Sequence, residues 1–264
     1  MTRTATPRRL VAVAGLALLT TLALATSACS IITSGGGGSK PPAKPPKEQL
    51  TDAIKKLSGQ SRRQTISVGP DVIASVSTDG ATKVAPHAIY TDPSTGFKAQ
   101  IDGVKIGKDA WVRIDFGALA GLVPVLGDVN KKWLHVDPAK LPKAVAAAIG
   151  VSADSGVDAL PAAIVTAEKT GDTSFTGTID LTLAKSLADM AGIKLGDAAK
   201  TTPFEATIDA AGNLGTFVIK GVDVGSKKGV DVTLTIADAG VPVTIEKPKG
   251  AVEAPAALYQ LLNG

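Results

Sequence analysis

The sequence predicts an α+β domain, an antiparallel strand meander interrupted by helices, and three observations predict it. Leu50, Ala53, Ile54 and Leu57 fall at spacing i, i+3, i+4, i+7, the period of a helix with one apolar side. From Gln64 onward, short β-branched runs alternate with turn residues, and Asp79-Gly80 and Asp102-Gly103 stand between extended runs. Such pairs mark hairpins, because the favoured two-residue turn needs positive φ at both central positions. An alanine-rich middle with apolar periodicity then reads as helical before the strand pattern resumes.

In chain order, strands are expected at Val72–Ser77, Lys83–Tyr90, Gly96–Ile101, Val104–Ile106 and Ala110–Ile114. A short helix is expected from Asp115 to Leu119, and a strand from Lys132 to Val136 that carries Trp133. Helices are expected at Ala139–Ile149 and Ala159–Glu168, with Pro142 and Pro161 in first turns, where a missing N–H costs little. The last third gives strands at Ser174–Ile179, Phe204–Ile208, Leu214–Lys220, Val230–Ala237 and Val241–Ile245, and helices at Leu181–Met190 and Ala254–Leu262. Phe97 to Asp102 and Phe204 to Asp209 share F-x-A-x-I-D, read as two strands each entering a turn.

Ahead of this domain the chain carries Arg3, Arg8 and Arg9, an apolar run from Leu10 to Ala25, and Thr26-Ser27-Ala28-Cys29. A basic start, an apolar stretch and small residues form a secretory signal, and the run falls short of the roughly 20 apolar residues that a spanning helix needs. Cys29 is the one cysteine in 264 residues. Residues 1–28 are therefore expected to be a signal peptide. Residues 29–47, with Gly35 to Gly38 and four prolines between Pro41 and Pro46, are expected to be a flexible and extended tether. Residues 48–264 are expected to form one domain.

Three of the 28 basic residues lie in the signal, leaving 25 against 24 acidic ones. A near-neutral chain without a basic patch has little counterion-release drive toward nucleic acid, so none is expected as a partner. With one cysteine, no internal disulfide can form, and stability must come from a core.

No sequence pattern argues for catalysis, and no cofactor or metal is expected. His87 and His135 have no H-E-x-x-H or cysteine context for zinc. Neither G-x-S-x-G nor S-x-x-K occurs, and Gly103 to Lys108 lacks Walker spacing. Asp115, Asp137 and Asp180 each stand where a strand ends and a helix begins, which is where aspartate caps exposed N–H groups. Trp111 and Trp133, two of only nine aromatic residues, read as core or cavity wall.

Thr26-Ser27-Ala28-Cys29 resembles the lipobox of bacterial lipoproteins, with Thr26 in place of the usual leucine. That likeness implies lipidation of Cys29 and attachment to the outer leaflet of the cytoplasmic membrane, on its extracytoplasmic face. Within the domain, Lys132-Trp133-Leu134-His135-Val136-Asp137, Thr176-Gly177-Thr178-Ile179-Asp180, and Phe204 to Asp209 followed by Gly212-Asn213-Leu214 resemble the LppX/LprG group of actinobacterial envelope lipoproteins. That group is related in fold to the LolA and LolB carriers. The resemblance implies a curved, half-open antiparallel sheet, an unclosed barrel, whose concave face is covered by helices around an apolar cavity for acyl chains.

The expected function is that of a membrane-anchored lipoprotein, not an enzyme. It binds lipid or lipoglycan acyl chains and carries or presents them in the cell envelope, with a membrane transporter as a further partner. The alternative is a non-catalytic surface or signalling lipoprotein that binds a protein. Ile106, Trp111, Val112, Ile114, Trp133, Leu141, Val145 and Ile164 are the expected lining of the cavity.

Overall fold

In the computed structural model, the described residues are 43–91, 98–122, 124–141, 146 and 156–263. The first helix, α1 (Pro46–Lys55), starts inside the expected tether: Pro46 takes its first turn, and the Gln49 N–H donates to the Pro45 carbonyl at 3.0 Å. Leu50, Ala53 and Ile54 are its buried side, as the periodicity requires.

Twelve strands follow among the described residues: β1 (Arg62–Val68), β2 (Asp71–Asp79), β3 (Lys83–Thr91), β4 (Lys98–Ile106), β5 (Asp109–Asp115), β6 (Leu134–Val136), β7 (Ile164–Lys169), β8 (Ser174–Ile179), β9 (Thr202–Ile208), β10 (Leu214–Val224), β11 (Lys227–Ala237) and β12 (Val252–Glu253). They form one open sheet in the order β12-β6-β5-β4-β3-β2-β1-β11-β10-β9-β8-β7. Every pairing is antiparallel except that of β12 with β6. Two meanders meet where β1 pairs β11, and β12 and β7 remain as edges. The fold is α+β, and the sheet is not closed.

Among the described residues the other α-helices are α2 (Pro124–Val129), α3 (Leu160–Ala163), α4 (Lys185–Ala191) and α5 (Ala256–Asn263). The larger core cluster joins Leu50, Ile54 and Leu57, Leu160 and Ala163 of α3, and Leu187, Ala188 and Ala191 of α4 to Ile66, Phe175, Phe204, Phe217 and Leu234 of the sheet. A smaller cluster on the β4–β6 end contains Ala99, Ala110, Val112, Ile114, Val129, Leu134, Val136, Leu141 and Leu258.

Three expectations about local structure are corrected. Asp102-Gly103 is no turn but the middle of β4, opposite Arg113 and Val112. Asp79-Gly80 does enter the turn from β2 to β3, and two-residue turns lie at Gly69-Pro70, Gly107-Lys108 and Gly225-Ser226, where the glycines take φ of 58°, 62° and 55°. Glycine first, with positive φ at that position, is the other two-residue hairpin solution. The expected helix Ala159–Glu168 ends at Ala163. Ile164-Val165-Thr166, three β-branched residues, instead begin β7, which pairs β8. The segment Val241–Ile245 forms no ladder, and most of the expected helix Ala139–Ile149 lies outside the described residues.

Candidate functional site

Alternate residues of a strand point to opposite faces, and β5 shows the consequence most directly. Ala110, Val112 and Ile114 enter the smaller core cluster, whereas Trp111 belongs to a separate cluster with Val104, Val243 and Ile245. The expected cavity lining therefore divides. Val112, Ile114 and Leu141 come together; Ile164 lies in the larger cluster of the same sheet face; and Ile106, Trp111 and Trp133 lie on the other face. Val145 lies outside the described residues. A hydrophobic residue in a strand declares burial but not the face, because both sides of β5 are covered here.

On the Val112 face, registered rows cross the centre of the sheet. Ile66, Ala74, Ala88, Ile101 and Ile114 form one row over β1–β5. Arg62, Thr78, Val84, Lys105 and Ala110 form another, so the apolar face has a cationic end. Arg62 is only 4 % exposed, and its Nη1 donates to the Leu57 carbonyl at 2.8 Å. Burial lowers the pKa of its guanidinium, which the charge of Asp158 opposes. The two core clusters of this face are distinct. Where they approach each other, Ala88 is packed against the larger and Ile101 against the smaller, both half-buried; on β3 Val84 is also half-buried and Pro86 is buried.

The Trp111 face is polar over most of its width. Ser75, Thr65, Thr235, Thr216, Thr207 and Ser174 stand in one register across β2, β1 and β11 to β8. A shallow hollow of about 340 Å³ opens over this row near Thr176 and Glu205. The same row continues through His87, Asp102 and Arg113. His87 Nδ1 lies 2.7 Å from Asp102 Oδ1, and Arg113 donates to Asp102 Oδ2 from Nε at 3.1 Å and Nη2 at 2.9 Å. Burial pushes the Asp102 carboxyl up, but the hydrogen bonds from His87 and Arg113 outweigh it and hold the group below the usual carboxylate range. The Arg113 guanidinium also sits 5.0 Å from the Trp133 ring centre.

At the sheet edge, the irregular segment from Val243 to Ala251 crosses the Trp111 face and places Val243 and Ile245 in the cluster of Trp111. Lys247 lies 5.5 Å above the Trp111 ring, and His135 stacks on the same ring at 5.4 Å. His135 Nδ1 is 2.8 Å from Glu253 Oε1, and its Nε2 is 3.4 Å from Asp109 Oδ1. The Glu253 carboxylate holds His135 above the ordinary imidazole value, with Asp109 adding to the shift against the opposing effect of burial. Sequence reasoning missed this crossing segment. The alternation of Val243 and Ile245 was its signal, but it reads as a strand that pairs.

Of the aspartates expected to cap, only Asp137 is a helix N-cap; Phe116 and Ala184 hold that position in the other two cases, without a side-chain bond, and Asp115 and Asp180 close local turns instead. Asp115 accepts from the Gly117 N–H at 2.9 Å, Asp137 from the Ala139 N–H at 3.0 Å, and Asp180 from the Thr182 N–H at 2.9 Å. Of the two F-x-A-x-I-D segments, the second enters a turn, where Asp209 accepts from the Asn213 N–H at 2.8 Å; the first continues as β4. Among the described residues no three His, Cys, Asp or Glu side chains gather as a metal site, and no helix is long and apolar enough to cross a membrane. No protein-family model matches the chain, and a search of curated proteins finds no match.

Proposed function

We propose that the folded domain binds acyl chains of a lipid or lipoglycan against the Val112 face of its sheet and carries or presents them from the outer surface of a cytoplasmic membrane. In this reading lipidated Cys29 is the anchor, residues 29–45 are the tether, and the chemistry is binding without catalysis. On the same reading the sheet is curved, with α1, α3, α4 and α5 over its concave side; the helix residues that pack in the two core clusters of that face support it.

One observation carries the reading. The apolar face is continuous in register from β1 to β5; Val76 and Pro86 at its centre are buried, while Val84 is half-buried and Ala88 and Ile101 are half-buried at the fringes of the two clusters. A packed domain has few voids larger than a water molecule. A half-buried apolar surface gains about 25 cal/mol per Å² when an acyl chain covers it. The Arg62 and Lys105 row gives that surface a polar end, matching the shape of an amphiphile. Of the expected lining, Val112, Ile114 and Leu141 are kept in this reading, and Val84, Ala88 and Ile101 are added.

Titration of the full chain with a dansyl-labelled undecanoic acid tests the reading. Ile101→Lys should weaken binding by about tenfold or more, some 1.4 kcal/mol, with the circular dichroism of the wild type retained. Equal affinity in the two proteins contradicts it. The anchor is tested separately: Cys29→Ala should lose labelled fatty acid and leave the membrane fraction, and retention of label would exclude Cys29 as the attachment point.

A further inference from the structure

We infer that residues 243–263 form a two-sided clasp on the β6 edge, in which the contact of His135 with Glu253 controls release of α5 from the Val112 face. This rests on the acyl-binding reading only for what the release admits.

The segment grips both faces of one edge. On the Trp111 face, Val243 and Ile245 are buried on Trp111 and Val104, and Lys247 sits over the indole. At the edge, β12 pairs β6 in register, Glu253 opposite His135. The Val252 and Ala254 N–H groups donate to the Trp133 and His135 carbonyls, each at 3.0 Å. Beyond the edge, Leu258 of α5 is buried with Val112, Leu134 and Leu141, and the Asp137 N–H donates to the Tyr259 hydroxyl at 2.8 Å. Asn263 Nδ2 donates to the Lys140 carbonyl at 3.0 Å. Two residues of parallel pairing are a weak ladder by themselves, so the side chains on β12 and β6 decide whether it holds. The clasp joins a small cover, α5, to an edge that its own sequence barely secures.

The groups facing His135 are Glu253 from β12, Asp109 and Trp111 from β5, and Lys247 from the crossing segment; Arg113, also on β5, is engaged by Asp102 and Trp133. The two carboxylates lie within 3.4 Å of the ring nitrogens, whereas Lys247 is held over the indole instead. Protonated imidazole therefore tightens the clasp. Its raised value in the closed state means that this stabilisation is complete below the free imidazole value of about 6.5 and is lost as pH rises through the higher, clasped value.

Hydrogen exchange of the full chain, corrected for intrinsic rates, tests the clasp at pH 6 and pH 8.5. Protection of the Val252 and Ala254 amides and of α5 should fall on going to pH 8.5, by about tenfold for each unit by which His135 is raised. His135→Gln should show low protection at both pH values. Wild-type protection that is equal at the two, or a pH response retained in His135→Gln, overturns the proposal. Uptake of dansyl-undecanoic acid separates the two readings. Faster uptake at pH 8.5 in the wild type, with uniformly fast uptake in His135→Gln, supports gating. Identical uptake in both proteins overturns gating. Absence of uptake in both refutes acyl binding and the gating role with it, and leaves the clasp itself to the exchange result.

Discussion

Trp111 and Val112 are neighbours in β5 that serve opposite sides of the sheet, Trp111 beneath Val243 and Ile245, Val112 beside Leu134 and Leu141. Both are nearly inaccessible, at 4 % and 3 %. Trp111 thus serves packing on one face, and the face proposed to bind acyl chains is its reverse.

This separation predicts a dissociation of stability from binding. Trp111→Ala removes the platform under Val243, Ile245 and Lys247 and should cost about 3–5 kcal/mol, the range for deleting a buried large aromatic. Urea unfolding gives the cost. Dansyl-undecanoate affinity under folding conditions should stay within a factor of about two, since a tenfold change would need about 1.4 kcal/mol at the other face. A tenfold loss of affinity would place Trp111 in the binding site.

Gly177 in β8 is fixed by space. A Cβ added there would lie 2.1 Å from the Thr166 carbonyl oxygen and 2.9 Å from the Phe204 ring. Phe204 cannot yield freely, because it is fully buried and stacks on Phe217 with ring centres 4.6 Å apart. Gly177→Ala should destabilise by about 1–3 kcal/mol or more through overpacking, while alanine at Gly221, where nothing lies within 4 Å of the added carbon, should cost only its positive-φ strain of about 1 kcal/mol. Comparable denaturation midpoints for the wild type and Gly177→Ala would refute the steric account.

Acid stability should depend on Asp102. Its carboxyl is lowered in the fold, against the effect of burial, by His87 and Arg113. The contribution is therefore present above the unfolded value of about 3.9 and fades as pH falls through the lower folded value. Asp102→Asn should be less stable than the wild type at pH 6, with the gap closing below pH ~4. A constant gap across that interval would assign the loss to packing rather than charge.

How much of this was visible in the sequence follows from particular residues. The helix of Leu50, Ala53 and Ile54, the meander and the Asp137 cap were visible, because periodicity and local side chain to backbone bonds are encoded within a few positions. Asp102-Gly103 misled because the aspartate's partners, His87 and Arg113, are on other strands. Ile164 misled because its pairing with Ile179 overrode an alanine-rich context. The crossing of Val243 and Ile245 over Trp111 was hidden for the same reason: face and partner are properties of the assembled sheet.

Native mass spectrometry of the full chain, extracted in mild detergent, tests acyl binding most directly. The account predicts a species heavier than the chain with its covalent lipid on Cys29, the excess matching a lipid or lipoglycan that dissociates on denaturation and is diminished in Ile101→Lys. A single species carrying only the covalent lipid, unchanged after incubation with excess membrane lipid extract, would contradict it.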